Sequence, residues 1–432
     1  MNEDLITRII DLAIAIQQIP APTFHEGARA EFVRRRFVEE GIPAGDVQLD
    51  EAGNVLARVA GEGQDRCVVV SAHLDTVFHM DADLTVVREG LTTRIGASTR
   101  RLKSVPRLTG KVSGAGIGDN ALGVAGLFGL LWNLGEGQVR LSGDLWLVAN
   151  VREEGLGNLD GMRAVVEFFE AEDAGNVGLP PMLRSGGYSR KPPRHGSPCA
   201  YIALEGIGLG HVYHRGLGVR RRRITVRTPG GHSWIDAGEP SAVHELMRLG
   251  ARLAGLVEGT GADSARSAAR QQGGSAPART TLNIGVISGG WSVNTIAAEA
   301  MLELDLRSES AEALELLTGE VEREVEAART RIGAGGSIEL EGIGDRPWGE
   351  LSKEHPLVRL CEASLRGVGV HPHLSTGSTD ANWPLSLGLP AVALGLTSGG
   401  GAHSRREFIN INPLWKGIEA LTRVVRGVWQ GD

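Results

Sequence analysis

Cys67–Val77 reads CVVVSAHLDTV. Its first six residues form an apolar run rich in valine, the mark of a strand buried on both faces of a sheet. The run stops at a histidine and an aspartate. Three further runs have the same character: Leu145–Val151 (LWLVANV), Ala200–Leu204 (AYIAL) and Ala391–Gly395 (AVALG). Helical stretches such as Asn120–Asn133 and Gly161–Glu170 lie between them. Strand–helix–strand alternation predicts an α/β fold, a mainly parallel sheet flanked by helices.

The middle of the chain has another rhythm. Arg220–Arg227 alternates charged and apolar residues, a helix follows at Ser241–Val257, and strands follow at Thr280–Ile287 and Ala298–Leu306. A charged helix at Ala311–Arg329 and a strand at Ser337–Ile343 complete a β-α-β-β-α-β order. That order is the ferredoxin-like α+β unit. It predicts an inserted domain over residues 214–346, with the main domain built from residues 1–213 and 347–432. Thr92–Leu108, Ala171–Pro198 and Gly259–Arg279 are rich in Gly, Ser, Ala, Arg and Pro and read as surface loops.

The chain has 432 residues, 45 Lys plus Arg against 52 Asp plus Glu, and a formal charge of −7. An acidic balance argues against a nucleic-acid partner, and the Arg220–Arg223 run, with no interleaved aromatics, reads as a solvated strand start. Hydrophobic residues make up 41% and charged residues 22%, so a packed core is affordable and wholesale disorder is excluded. The three cysteines, Cys67, Cys199 and Cys361, form no CxxC pair. They fit a reducing compartment rather than a disulfide framework and exclude a Cys-based zinc site. Met1–Gln18 reads as an amphipathic helix rather than a signal peptide, and the longest apolar run, Ala121–Trp132, is too short to span a bilayer. The expected location is cytoplasmic, with no membrane contact.

Histidines and carboxylates fall just past the predicted strands, where open α/β sheets bind ligands. His73 and Asp75 follow the first strand; a carboxylate two residues from a ligating histidine can orient the imidazole. Asp119 ends a glycine-rich approach (SGAGIGDN) to a helix. Glu153 and Glu154 follow the second strand; at the mouth of a buried sheet such a pair needs cations to stay ionised. Glu205 ends the third strand, and His403 sits in a glycine-rich loop. Each alone is unremarkable. Together they form an N/O donor set suited to zinc, with cobalt or manganese as alternatives, in a co-catalytic pair of metal ions.

The order of these motifs resembles the dinuclear zinc hydrolase family of carboxypeptidase G, peptidase T, aminoacylase, acetylornithine deacetylase and succinyl-diaminopimelate desuccinylase. The likeness runs from about Ile19 (IPAPTFHEG) to Ile409. It implies a zinc-peptidase-like main domain with an inserted lid and dimerisation domain. By resemblance, two Zn2+ per subunit would be held by His73, Asp119, Glu154, Glu205 and His403, with Asp119 bridging. Asp75 would orient His73, and Glu153 would be general base and then acid. The family often has a cis peptide after the bridging Asp, here Asp119–Asn120. His232 in TPGGHSW would stabilise the oxyanion in a partner subunit's site, implying a homodimer. Asn294 and Arg307 would hold a substrate carboxylate. Ser378, Thr379 and Asp380 in GSTDANWP resemble the peptidase T-like members. The implied activity is hydrolysis of an amide or peptide bond in a short peptide, with an N-acyl amino acid as the alternative substrate. Two other classes compete: a non-catalytic metal-binding protein on the same fold, and a nucleotide-binding protein using Gly114–Gly118.

Overall fold

The computed structural model describes residues 3–63, 66–94, 107–170, 197–258 and 278–429. The chain divides into two compact units, residues 1–215 with 349–432, and residues 216–348.

The first unit is built on a nine-stranded sheet among the described residues. Its centre is parallel, as the apolar runs predict. Arg66–His73 pairs in parallel with Asp144–Asn150 on one side and Ser197–Ile207 on the other, and Ala391–Thr397 runs parallel to Ser197–Ile207. The sheet is mixed at its flanks: Val55–Val59 pairs antiparallel with Asp144–Asn150, and His211–Gly216 with Ala391–Thr397. Val55–Val59 (VLARV) is apolar but only five residues long, and His211–Gly216 (HVYHRG) is half-polar, so neither stood out as a strand. Val68, Val69, Val70, Leu145, Leu147, Ile202 and Val392 are fully buried. Burial of each such side chain contributes about 1.5–3 kcal/mol. Helix Leu122–Glu136 packs on the sheet through Leu122, Leu127 and Phe128, and Phe128 stacks on Phe37 at 4.2 Å. The parallel pairings put the carboxyl ends of four strands along one edge of the sheet.

A small antiparallel sheet stands beside that edge, in the order Gly399–Gly400, Phe408–Asn410, Arg107–Ser113, Val87–Arg94. It corrects the reading of Thr92–Leu108 as a loop: both ends of that stretch are paired strand. Glycine, threonine and arginine dominate these strands, and such residues give no apolar alternation to read. Residues 95–106, 171–196 and 259–277 of the three low-complexity stretches lie outside the described residues.

The second unit has the β-α-β-β-α-β order. Its four-stranded antiparallel sheet runs Thr280–Gly289, Glu299–Ser308, Gly218–Arg227, Ser337–Arg346, with helices Ala242–Glu258 and Ala311–Ile332 covering one face. Ile224, Val226, Leu249, Leu302, Leu304 and Val321 form its core. The other face carries Arg221, Arg223 and Arg227, whereas Arg220 pairs with Glu315 of helix Ala311–Ile332 at 2.8 Å. Arg221 pairs with Asp305 at 3.4 Å, and Arg223 lies between Glu303 at 2.8 Å and Glu341 at 3.2 Å. Arg227 lies between Glu299 and Glu339, each at 2.9 Å. The basic run is therefore a central strand neutralised by acidic neighbours on both sides. Among the described residues no helix is long and apolar enough to cross a membrane.

Candidate metal centre

Six side chains foreseen from the sequence meet at the carboxyl edge of the first unit. His73 is the last residue of Arg66–His73 and pairs across the ladder with Asn150; Glu205 lies near the end of Ser197–Ile207 and pairs with Gly395. Glu153 and Glu154 follow Asp144–Asn150 after a turn in which Arg152 has φ 56°. His403, with φ 62°, sits between the short strands Gly399–Gly400 and Phe408–Asn410. Asp119 precedes helix Leu122–Glu136, in a kinked turn whose Asp119–Asn120 peptide is cis. The helix thus starts later than the sequence suggests, because Asp119 and Asn120 have non-helical backbone.

Asp119 stands at the middle of the cluster. Its Oδ1 lies 3.1 Å from His73 Nε2, and its Oδ2 lies 3.0 Å from His403 Nε2. Glu205 Oε2 is 3.9 Å from the same His73 nitrogen, and Glu154 Oε1 is 3.0 Å from His403 Nε2. Two groups of donors, each within 4.8 Å of one another, therefore share Asp119: His73, Asp119 and Glu205; and Asp119, Glu154 and His403. His73, Glu153 and Glu154 form a third such group.

A second row of residues holds these in place. Asp75 is fully buried. Its Oδ1 accepts the Glu153 N–H at 2.9 Å, and its Oδ2 accepts the Glu154 N–H at 2.8 Å and the Thr23 hydroxyl at 2.9 Å. The same carboxylate lies 3.4 Å from His73 Nδ1. Asn120 donates to Leu204 O at 2.8 Å and accepts the Gly206 N–H at 3.0 Å, which ties the Asp119 turn to the strand end beside Glu205. Gly206 is required there: a Cβ on it would lie 2.2 Å from Gly118 O.

Sequence reasoning missed two buried carboxylates. Glu407 accepts the N–H groups of Gly116, Gly118 and Asp119 at 3.0, 2.6 and 2.7 Å. Glu26 accepts those of Phe24 and Arg152 at 3.0 and 3.1 Å. Neither follows the carboxyl end of an apolar strand, and their partners are distant in sequence or in turns. Glu26 did stand in the quoted IPAPTFHEG stretch. The Glu407 contacts also dispose of the phosphate-loop reading, since the N–H groups that would cradle a phosphate are already taken.

The electrostatics follow from crowding. Burial pushes Asp119 up, yet hydrogen bonds from His403 and His73 hold it well below the usual carboxylate range. Hydrogen bonds to Asp119 and Glu154 raise His403 to about 10. Burial lowers His73, but Asp119 and Asp75 outweigh it and leave its pKa well above the usual value. Glu205 is pushed up by burial, with Asp119, Glu153 and Asp380 adding repulsion. Carboxylates outnumber imidazoles here, so the site's field favours cations.

Thr379 and Asp380 are buried. Asp380 Oδ2 accepts from Asn150 Nδ2 at 2.9 Å, and Thr379 Oγ1 accepts the Ala381 N–H at 3.3 Å; Ser378 is half-buried. The remaining foreseen residues belong to the second unit. His232 is exposed, with its N–H donated to Asp236 Oδ2 at 2.7 Å and its Nδ1 accepting from the N–H groups of Trp234 and Ile235 at 3.2 and 3.3 Å. Asn294 accepts from the Ser292 hydroxyl at 2.6 Å, and Arg307 Nε lies 2.6 Å from Asp305 Oδ2.

The α/β fold thus carries, at one edge of its sheet, a cluster of side chains that could hold metal ions. Residues 69–427 match the sequence pattern of Peptidase family M20/M25/M40, and the chain belongs to that family. It is accordingly a metallopeptidase or amidohydrolase acting on C–N bonds, and the non-catalytic reading falls. An uncharacterized protein of Bacillus subtilis, YqjE, is 22% identical over 97% of both chains. A tripeptidase from Staphylococcus aureus has the same fold, with a TM-score of 0.68 and 17% identity over 98% of this chain and 99% of that one. So does the YXEP protein of Bacillus subtilis, described as a dinuclear metal binding peptidase, with a TM-score of 0.59 and 15% identity over the full length of both.

Proposed function

We propose that this enzyme is a co-catalytic two-cation hydrolase that cleaves an amide or peptide bond in a short peptide. The observation that carries this is the two-sided use of Asp119, one oxygen toward His73 and the other toward His403. The donor set fits the group: oxygen and nitrogen atoms only, crowded carboxylates, and a carboxylate shared by two donor groups. His73, Glu205 and Asp119 would hold one ion, and Asp119, Glu154 and His403 the other. Zn2+ suits these donors, with Co2+ or Mn2+ as alternatives. When bound, the pair would supply Lewis acidity and lower the pKa of a water.

The chain's own residues do the rest. Asp75 accepts from the Glu153 N–H and fixes the position of that backbone beside His73. The Glu153 carboxylate takes a proton from the attacking water and returns it to the leaving nitrogen, a transfer that typically contributes about 10²–10⁴-fold. His232 steadies the oxyanion in a partner subunit's site. That role requires a homodimer formed through the inserted unit, which serves as a lid. Asn294 and Arg307 bind a substrate carboxylate, Arg307 through its terminal nitrogens; its Nε faces Asp305 at 2.6 Å. Ser378 borders the substrate, with Thr379 and Asp380 behind it. The enzyme works in the cytoplasm.

The likeness to a tripeptidase favours short peptides; an N-acyl amino acid is the second reading, since Arg307 suits either product's carboxylate. Purified, zinc-loaded protein assayed against di- and tripeptides and against N-acetyl and N-succinyl amino acids decides between them. Turnover confined to the acylated compounds would replace the peptidase by a deacylase, and turnover of neither set would overturn the proposal.

A further inference from the structure

Glu407 is fully buried, four residues after His403, and its carboxylate is the acceptor for three backbone N–H groups of the Asp119 turn. Its main chain is tied to the same place: its N–H donates to Ser404 O at 3.1 Å, and its carbonyl accepts the Gly114 N–H at 3.0 Å. One residue therefore joins the loop carrying His403 to the loop carrying Asp119, from behind both.

A neutral acceptor would satisfy those N–H groups at less cost. Burial and the neighbouring Asp119 disfavour a charged carboxylate here; the three N–H donors offset part of that cost, and a cation beyond Asp119 would offset more. Outer carboxylates that fix a ligand's orientation also raise its basicity, and their loss typically lowers metal affinity about 10–100-fold. A Cβ on Gly118 would lie 2.5 Å from Ile207 Cδ1 and 3.1 Å from Glu407 Oε1, so only glycine fits between the strand end and this carboxylate.

We propose that Glu407 is the positioning residue of the cation centre, setting the aim of Asp119 relative to His403 and hence the affinity for the ion those two share. The inference rests on the two-cation reading above. Glu407→Gln preserves volume but turns an amide NH2 toward one of the backbone N–H groups; Glu407→Asp keeps the charge and cannot reach all three; Glu407→Ala removes the acceptor. Each variant is titrated with Zn2+ against a chromophoric chelator and with Co2+ by its visible spectrum, alongside wild type and Glu362→Gln, a change at a buried carboxylate paired with Arg366.

The expected result is two ions in wild type and in E362Q. In E407Q the first ion binds normally and the second about 10-fold more weakly, and in E407A the second binds about 100-fold more weakly. The cobalt spectrum changes, and kcat falls with KM held. Wild type binding fewer than two ions would sink the two-cation reading itself. Wild type binding two, with folded E407Q and E407A binding both ions at wild-type affinity, would sink this inference alone. If all three variants are unfolded with and without zinc, Glu407 is a folding residue and the inference also fails.

Discussion

The carboxylate of Asp75 accepts the backbone N–H of Glu154 at 2.8 Å, so a residue beside His73 also fixes the chain at the second strand's end. Its other oxygen does the same for Glu153 at 2.9 Å. Asp75→Asn keeps the shape but replaces one acceptor by a donor facing an N–H group. Cation affinity is expected to fall about 10–100-fold, with kcat/KM falling in step. Metal analysis after gel filtration and steady-state kinetics check this; an unchanged metal content with intact activity contradicts it.

Glu153→Gln separates proton transfer from cation binding. Turnover should drop by about 10²–10⁴-fold while two ions per chain remain. Substantial residual activity in a fully loaded variant removes Glu153 from its role.

Chelation should inactivate the enzyme reversibly and also soften it. With Asp119, Glu154 and Glu205 crowded together, cations stabilise the folded form by mass action, about 4 kcal/mol for an ion present at 1,000 times its Kd. The thermal midpoint of the chelated protein should fall by several degrees and recover with zinc, cobalt or manganese. An unmoved midpoint in calorimetry counts against a cation at this cluster.

Away from the site, helix Leu414–Val428 lies so close to strand Ala391–Thr397 that a Cβ on Gly417 would be 1.9 Å from Leu396 O. Gly417→Ala must push the helix off the sheet and should cost about 1–3 kcal/mol, read by urea unfolding. A variant of wild-type stability would mean the helix shifts freely.

What could be read from the sequence was whatever repeats a physical pattern. A strand buried on both faces must be apolar throughout, so Cys67–Ala72 and Ala391–Gly395 announced themselves. The residues just past such strands then stood out because polar groups begin there. Asp119 was findable through its glycines. Glu407 and Glu26 were not: a single glutamate in a polar stretch looks the same whether it meets water or a set of N–H groups. The Val87–Arg94 and Arg107–Ser113 hairpin was hidden for a related reason, because its strands lack the alternation that a half-buried sheet normally shows. The arginine run was read as solvated, but its pairing with glutamates on both neighbouring strands depends on register, which a linear sequence does not display.

The strand order carries a consequence for biosynthesis. Ser197–Ile207 takes Ala391–Thr397 as its parallel neighbour, so the larger sheet waits for a strand made nearly two hundred residues later. Every described strand lying wholly within residues 216–348 finds its partners there. On the ribosome the insert is whole, and free to fold, while its host still lacks an inner strand and the histidine beyond it. The nascent polypeptide therefore cannot bring His403 to Asp119 until the whole insert has been made.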